Sequence, residues 1–231
     1  VSIALVDFKP LVELIIHTNT LHHKHSRQWL NDLQDVYNLK RSQVKNICLS
    51  STDSEEDNKV TLDTHFLQYM NSYCEGLIPV LYEPAYDFFG LDFDISIRIK
   101  DPDSRVAKLM HYMKDKEEKG AMSIKKCLND LFGLRVWIDG FDHSEAAIDH
   151  IKNLVQIEPF RIYNASKGEY KATHAYFSNG NNKYFPWELQ IWNPEDTQSN
   201  ICSHSIHKQG YTKWVEDYKQ MPLIEEVKKD V

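Results

Sequence analysis

Cysteine is scarce in this chain of 231 residues: four are present, at 48, 74, 127 and 202, and none forms a Cys-x-x-Cys pair. That spacing excludes a zinc ribbon and a dense disulfide framework, and predicts a reducing, cytoplasmic setting. Long apolar runs are missing as well. Nothing nears the roughly 18 residues of a membrane span, and the first residues lack the basic-then-apolar order of a secretory signal, so no membrane partner is expected. Internal repeats and low-complexity tracts are absent. Excess positive charge is also absent: 27 Lys and Arg stand against 34 Asp and Glu, a formal charge of −7, which disfavours broad polyanion binding while leaving room for a local basic patch. What remains is ordinary for a globular protein, with 42% apolar and 26% charged residues, in a length that suits one sizeable domain with or without a helical extension.

Residues 1–90 read as a helical region. Trp29, Leu30, Leu33, Val36 and Tyr37 recur at helical spacing, as do Leu62, Phe66, Tyr69, Met70 and Tyr73. Between them, the stretch from Ser50 to Asn58 has no apolar residue to bury and reads as an acidic loop, while Leu77 to Gly90, with two prolines, reads as an irregular connection. From residue 91 to the end the pattern is that of a mixed α/β (α+β) domain. Ile95, Ile97 and Ile99 alternate with polar residues as in a half-buried strand. Asp101-Pro102 then starts a helix striped by Val106, Leu109, Met110 and Met113. Further strands are predicted over Leu134–Ile138, Ala172–Phe177 and Phe185–Trp192. A helix whose inner face is Ala147, Ile148, Ile151, Leu154 and Val155 follows the first of these, and short helices end the chain.

Four constellations could carry chemistry, each with a plainer alternative. Arg98-x-Lys100-x3-Ser104-x3-Lys108 places three cations and a hydroxyl around a strand end and a helix N-terminus, which suits a polyphosphate; a solvated helix face would look the same. Asp130, three residues before Gly133 and five before Arg135, could hold a metal at a strand edge or merely cap a turn. Glu188 and Gln190 share one face of an apolar strand, where a carboxylate needs a cation, a metal or donors unless the strand is a water-facing edge. Tyr170, Lys171 and His174, entering a strand, could stack on a base and contact phosphate, or form a surface loop.

In their order, these motifs resemble the synthetase domain of the RelA/SpoT family, over about residues 91 to 219. The resemblance implies a mixed sheet of nucleotidyltransferase type flanked by helices. It also implies transfer of pyrophosphate from ATP to the 3'-hydroxyl of GDP or GTP, with Mg²⁺. Carried over residue by residue, Arg98, Lys100, Ser104, Lys108 and Arg135 would bind ATP. Asp130 and Glu188 would be catalytic and hold the metal, and Tyr170, Lys171, His174, Gln190 and His204 would meet the acceptor. Three departures fall on the acceptor side. Glu169 stands between Gly168 and the tyrosine, Trp192 stands where the family has arginine, and the upstream basic motif is reduced to Arg161, Tyr163 and Lys167. The chain has no His-Asp dipeptide of the family's hydrolase domain. It looks like a single-function small synthetase, or a related toxin that uses the same chemistry on another acceptor, including the 3' end of tRNA. A binder that keeps the fold without turnover is the contrasting class, and a homo-oligomer is compatible with each.

Outside these motifs, His22, His23, Lys24 and His25 with Arg27 read as a solvated surface or an RNA-facing patch rather than a metal site. The four cysteines read as core residues.

Overall fold

The computed structural model describes residues 7–50, 60–82, 92–206 and Trp214. The predicted acidic loop beyond Ser50, most of the connection ending at Gly90, and the chain end beyond 206 lie outside the described residues. Along the chain come α1 (Lys9–Asn31), β1 (Cys48–Ser50), β2 (Val60–Leu62), α2 (Thr64–Gly76), the short α3 (Ile78–Leu81), β3 (Asp94–Ile99), α4 (Pro102–Lys114), α5 (Ile124–Cys127), β4 (Phe132–Trp137), α6 (Glu145–Leu154), β5 (Phe160–Asn164), β6 (Thr173–Phe177) and β7 (Trp187–Trp192). A further helix covers 197–206. β1 and β2 form an antiparallel pair, and the other five strands make one mixed sheet in the order β3-β4-β7-β6-β5, in which only β4 and β7 run parallel. The expected mixed sheet flanked by helices is therefore present. Among the described residues no helix is long and apolar enough to cross a membrane.

Strand registers give the sheet two unlike faces. On one, the row Ile97–Leu134–Leu189–Ala175–Ile162 lies beside Ile99–Phe132–Trp187–Phe177–Phe160. Phe177 stacks on Trp187 at 4.2 Å between ring centroids and on Phe160 at 5.4 Å, so this aromatic row anchors the core through area removed from water. α1 covers it: Asn19 Oδ1 accepts from Trp187 Nε1 at 3.1 Å, and the His22 ring stacks on Phe132. Buried residues on either side of position 90 belong to one continuous cluster.

Several expectations are corrected. The first helix ends at Asn31 rather than running through Tyr37, because Asn31, Asp32 and Asp35 are weak helix formers and acids oppose the negative end of the helix dipole. Tyr37 still packs, from a loop, edge-on to Phe66. Leu62 belongs to a strand, not to the helix of Phe66. The β-branched Val60 and Thr61 favour extension, and Asp63 then caps α2 by accepting from the Phe66 N–H at 3.2 Å. Ile78–Leu81 is helical, with Pro79 in its first turn. Leu154 is 41% exposed, because α6 ends there and Val155 turns inward instead. β5 was not anticipated. Cys48, Cys74 and Cys127 are buried, but Cys202 is exposed.

The histidine cluster is also corrected. His23 and Lys24 are exposed, yet His22 is wholly buried. A neutral ring protonated on Nε2 donates to the Tyr73 hydroxyl at 2.6 Å, while Nδ1 accepts from Asn179 Nδ2 at 3.1 Å. Burial, reinforced by His25 and His23, pushes its pKa down to about 3. Unfolded, it takes a proton near 6.5. Between those values the unfolded chain holds more protons, so this stabilisation is present at neutral pH and is lost as pH falls from about 6.5 toward 3. From pH 7 to 5 the loss is about 2 kcal/mol. Urea unfolding at the two pH values should show it, and His22→Gln, which has a donor and an acceptor but no titration, should flatten the difference by that amount; an unchanged difference would contradict the assignment.

Candidate active site

The second sheet face is polar. Its rows run Arg98–Gly133–Glu188–Tyr176–Arg161, then Ser96–Arg135–Gln190–His174–Tyr163, with Trp137 beside Trp192 beyond them. Because β7 is the central strand, Glu188 and Gln190 are each only 4% exposed, which removes the edge-strand alternative for the carboxylate. Partners meet the cost of that burial. Glu188 Oε1 accepts from the Tyr176 hydroxyl at 2.7 Å and lies 3.2 Å from His174 Nδ1, and Oε2 accepts from Gln190 Nε2 at 2.9 Å. Burial by itself would raise the Glu188 pKa, but the His174 and Tyr176 contacts hold it below the usual value. Gln190 Oε1 in turn accepts from Arg135 Nε and from its terminal nitrogen at 3.1 and 2.9 Å. The Arg135 guanidinium sits 3.7 Å from the Trp192 ring centroid. Burial, with Arg98 nearby, brings its pKa down to about 10, so it remains cationic at neutral pH.

At the far end of the face lies a compact ion cluster. The helix start predicted at Asp101 is present: its carboxylate accepts from the Ser104 N–H at 2.9 Å and from the Ser104 hydroxyl at 2.7 Å. This cap fixes the first turn of α4 and so the azimuth of Lys108 one turn later. Lys108 Nζ donates to Asp130 Oδ1 at 2.9 Å, and Lys100 Nζ donates to Asp130 Oδ2 at 2.8 Å. Burial acts to raise the Asp130 pKa, but the two ammonium groups outweigh it and keep the carboxylate ionised well below its ordinary range. Arg105, which the motif skipped, is buried and ties the helix down through Lys100 O and Asn71 Oδ1. Arg98 is exposed on edge strand β3, in line with Gly133.

Tyr170 stands at the opposite border. Gly168 and Glu169 form a two-residue turn closed by both Lys167 N–H to Tyr170 O at 2.8 Å and Tyr170 N–H to Lys167 O at 3.1 Å. Gly168, at φ +59°, supplies the first position of that turn, where a side chain would be strained. Glu169 is thus an ordinary turn residue rather than an obstacle. The Tyr170 hydroxyl meets His174 Nε2 at 2.8 Å, and its ring stands edge-on to Trp192 and His204. Burial raises the tyrosine to about 12 and lowers His204 to about 4. Lys171 is exposed and touches this border through its backbone, with its N–H donating to Asn200 Oδ1 at 2.7 Å.

The polar face therefore gathers Arg98, Arg135, His174, Glu188 and Gln190. Tyr170 and His204 border it on one side, Lys100, Ser104, Lys108 and Asp130 on the other, and Lys171 is exposed. Sequence reasoning missed Tyr176 and Arg105. Tyr176 was readable, since it follows His174 by two in the same strand and must share its face.

Among the described residues no group of three or more His, Cys, Asp or Glu is placed to hold a metal ion. The donor set nonetheless fits a Mg²⁺ that arrives with phosphates, which needs only one or two carboxylates. Both oxygens of Asp130 and Oε2 of Glu188 each accept from one donor and so retain lone-pair capacity, whereas Glu188 Oε1 already meets two.

No protein-family model and no curated protein matches the chain. Among solved structures it is similar to a GTP pyrophosphokinase family protein from Streptococcus pneumoniae, at 16% identity and a TM-score of 0.35, over 66% of this chain and 81% of that one. It is also similar to the small alarmone synthetase 1 from Bacillus subtilis, at 17% identity and a TM-score of 0.38, over 68% and 86%.

Among the described residues Asp130 is the one carboxylate that pairs with both half-buried lysines, so Asp130→Asn should cost about 3 kcal/mol in urea unfolding by leaving two cations with a neutral partner. Lys108→Met added to it should restore part of that loss. A further loss of equal size would show that the three groups do not act as a unit.

Proposed function

We propose that the chain is a RelA/SpoT-type pyrophosphokinase that moves the terminal pyrophosphate of ATP to the 3'-hydroxyl of GDP or GTP, giving (p)ppGpp. The reading rests on one juxtaposition: a buried, ionised Glu188 on a face edged by Arg98 and Arg135, with the Lys100–Asp130–Lys108 cluster beside it. Phosphoryl chemistry asks little of a protein beyond positioning and charge, and these are the groups present.

In this reading Arg98, Lys100, Ser104, Lys108 and Arg135 hold the ATP phosphates and base. Arg135 is oriented by Gln190 and lies over Trp192, so a cation from β4 occupies the neighbourhood where the family has arginine at the Trp192 position. Tyr170 presents its ring to the acceptor base, with His174 and His204 behind it. Glu188 takes the proton of the attacking 3'-hydroxyl at a carboxylate oxygen that Tyr176 and Gln190 keep in place. Mg²⁺ bound to Asp130 and Glu188 would neutralise phosphate charge and polarise the phosphorus under attack.

The test is direct. The purified chain with β-labelled ATP and Mg²⁺ is offered GDP, GTP, other nucleotides and deacylated tRNA in parallel, and the labelled product is identified. Label on guanosine nucleotides is expected. Label on tRNA alone would keep the chemistry and change the acceptor, and no product with any acceptor would favour a non-catalytic binder. Glu188→Gln should abolish transfer while calorimetry still detects a non-hydrolysable ATP analogue. Tyr170→Ala should lower kcat/KM for the acceptor about ten- to a hundredfold, the range expected from losing one base stack, with ATP affinity nearly unchanged. Equal losses for ATP would move Tyr170 out of the acceptor side.

A further inference from the structure

Both ring nitrogens of His174 meet side chains of the protein itself. Sheet register brings this about. On β6, His174 stands opposite Gln190 and therefore diagonally across from Glu188, two residues away on β7. Its Nδ1 lies 3.2 Å from Glu188 Oε1 and 3.3 Å from the Tyr176 hydroxyl. On the other side of the ring, Nε2 is 2.8 Å from the Tyr170 hydroxyl, and the two rings meet edge-on at 85°. Tyr170 is held there through its neighbour. Asn200, fully buried, accepts from the Lys171 N–H at 2.7 Å and donates to the Lys171 carbonyl at 2.8 Å. The His174 side chain is only 13% exposed. It has no free nitrogen to offer a ligand, although the resemblance implied an acceptor contact for it.

The hydrogens along these contacts follow from what each partner can do. An ionised Glu188 can only accept. The Tyr176 hydroxyl commits its hydrogen to Glu188 Oε1 at 2.7 Å, so toward His174 it too can only accept. With acceptors alone beside it, Nδ1 carries the ring hydrogen. In a neutral ring Nε2 is then the acceptor, and the Tyr170 hydroxyl donates to it. Glu188 Oε1 thus faces two donors, Tyr176 and His174, while Oε2 faces one, Gln190 Nε2 at 2.9 Å. Of the two oxygens, Oε2 keeps a lone pair for an incoming group.

We propose that His174 is a positioning residue, held as the Nδ1–H tautomer with the Tyr170 hydroxyl on Nε2, that occupies Glu188 Oε1 and leaves Oε2 open to the substrates. What concerns the substrates rests on the pyrophosphokinase reading; the tautomer rests on the geometry alone. Tyr170 then has two separable functions. Its ring offers a face to the acceptor base, and its hydroxyl orients His174 and, through it, Glu188. A carboxylate with one oxygen fixed by two donors loses rotation about its last torsion, which is otherwise soft. A base already aligned with the attacking hydroxyl need not find that orientation during the reaction. The acceptor border is thereby divided into a binding part and an aligning part, and substitutions in the two should separate KM from kcat.

Long-range proton–nitrogen NMR spectra of the full chain, with isotopically labelled histidine rings, read the tautomer without any substrate. The His174 signals are identified by their loss in His174→Asn. A protonated Nδ1 and a bare Nε2 are expected, with the Nε2 signal moving in Tyr170→Phe as it loses its donor. A hydrogen on Nε2 would overturn the proposal and leave the pyrophosphokinase reading untouched. Turnover supplies the second arm. Tyr170→Phe keeps the ring and should lower kcat about five- to tenfold, the size of one lost hydrogen bond, with acceptor KM unchanged. His174→Asn sets an amide donor near the Nδ1 position and should lose about as much. His174→Gln sets its amide near Nε2 instead and leaves Glu188 without that donor. It should lose roughly a hundredfold, because hydrogen bonds to charged groups are the stronger ones. Equal losses with Asn and Gln, or a raised acceptor KM with kcat preserved, would overturn the proposal by making His174 an acceptor contact. If no acceptor is turned over, the tautomer alone decides.

Discussion

A strand buried on both faces constrains everything around it. β7 lies at the centre of the sheet, and all six of its residues are buried. Trp187, Leu189 and Ile191 meet that constraint by packing against apolar neighbours and α1. Glu188 and Gln190 cannot, and an ionised carboxylate in such a place is tolerable only with donors on both oxygens. Tyr176, His174 and Gln190 provide them. The polar face exists because these side chains arrive from two adjacent strands, β6 and β7, at matching heights, so sheet register and site geometry are one property.

The same logic governs the ion cluster. Two lysines would not remain close together in a poorly hydrated corner without Asp130 between them, and Asp130 would not stay ionised there without the lysines. The helix cap at Asp101 sets where Lys108 points, and the end of β3 sets where Lys100 points, so a local turn and a long-range strand pairing converge on one carboxylate. Such an arrangement holds charge in a fixed geometry before any ligand arrives, which is what electrostatic stabilisation of a transferred group demands.

Much of this was legible in the residues themselves. Alternation from Ile95 to Ile99, the Asp101-Pro102 start, the stripe of α4 and the shared face of Glu188 and Gln190 all follow from local geometry, because strand and helix periods dictate which side chains lie together. The fold class followed from the order of those elements. Other features depend on partners distant in sequence. Whether Glu188 faces water or lies buried turns on β4 and β6 closing over β7 on either side. Whether His22 is a surface residue turns on Tyr73 and Asn179, 51 and 157 residues away. The two short strands β1 and β2 have three residues each, too few to show a period, and pairing alone defines them. Sequence by itself determined which residues could share a face; tertiary structure decided which faces meet, because burial and hydrogen-bond partners are properties of the assembled chain and not of any segment within it.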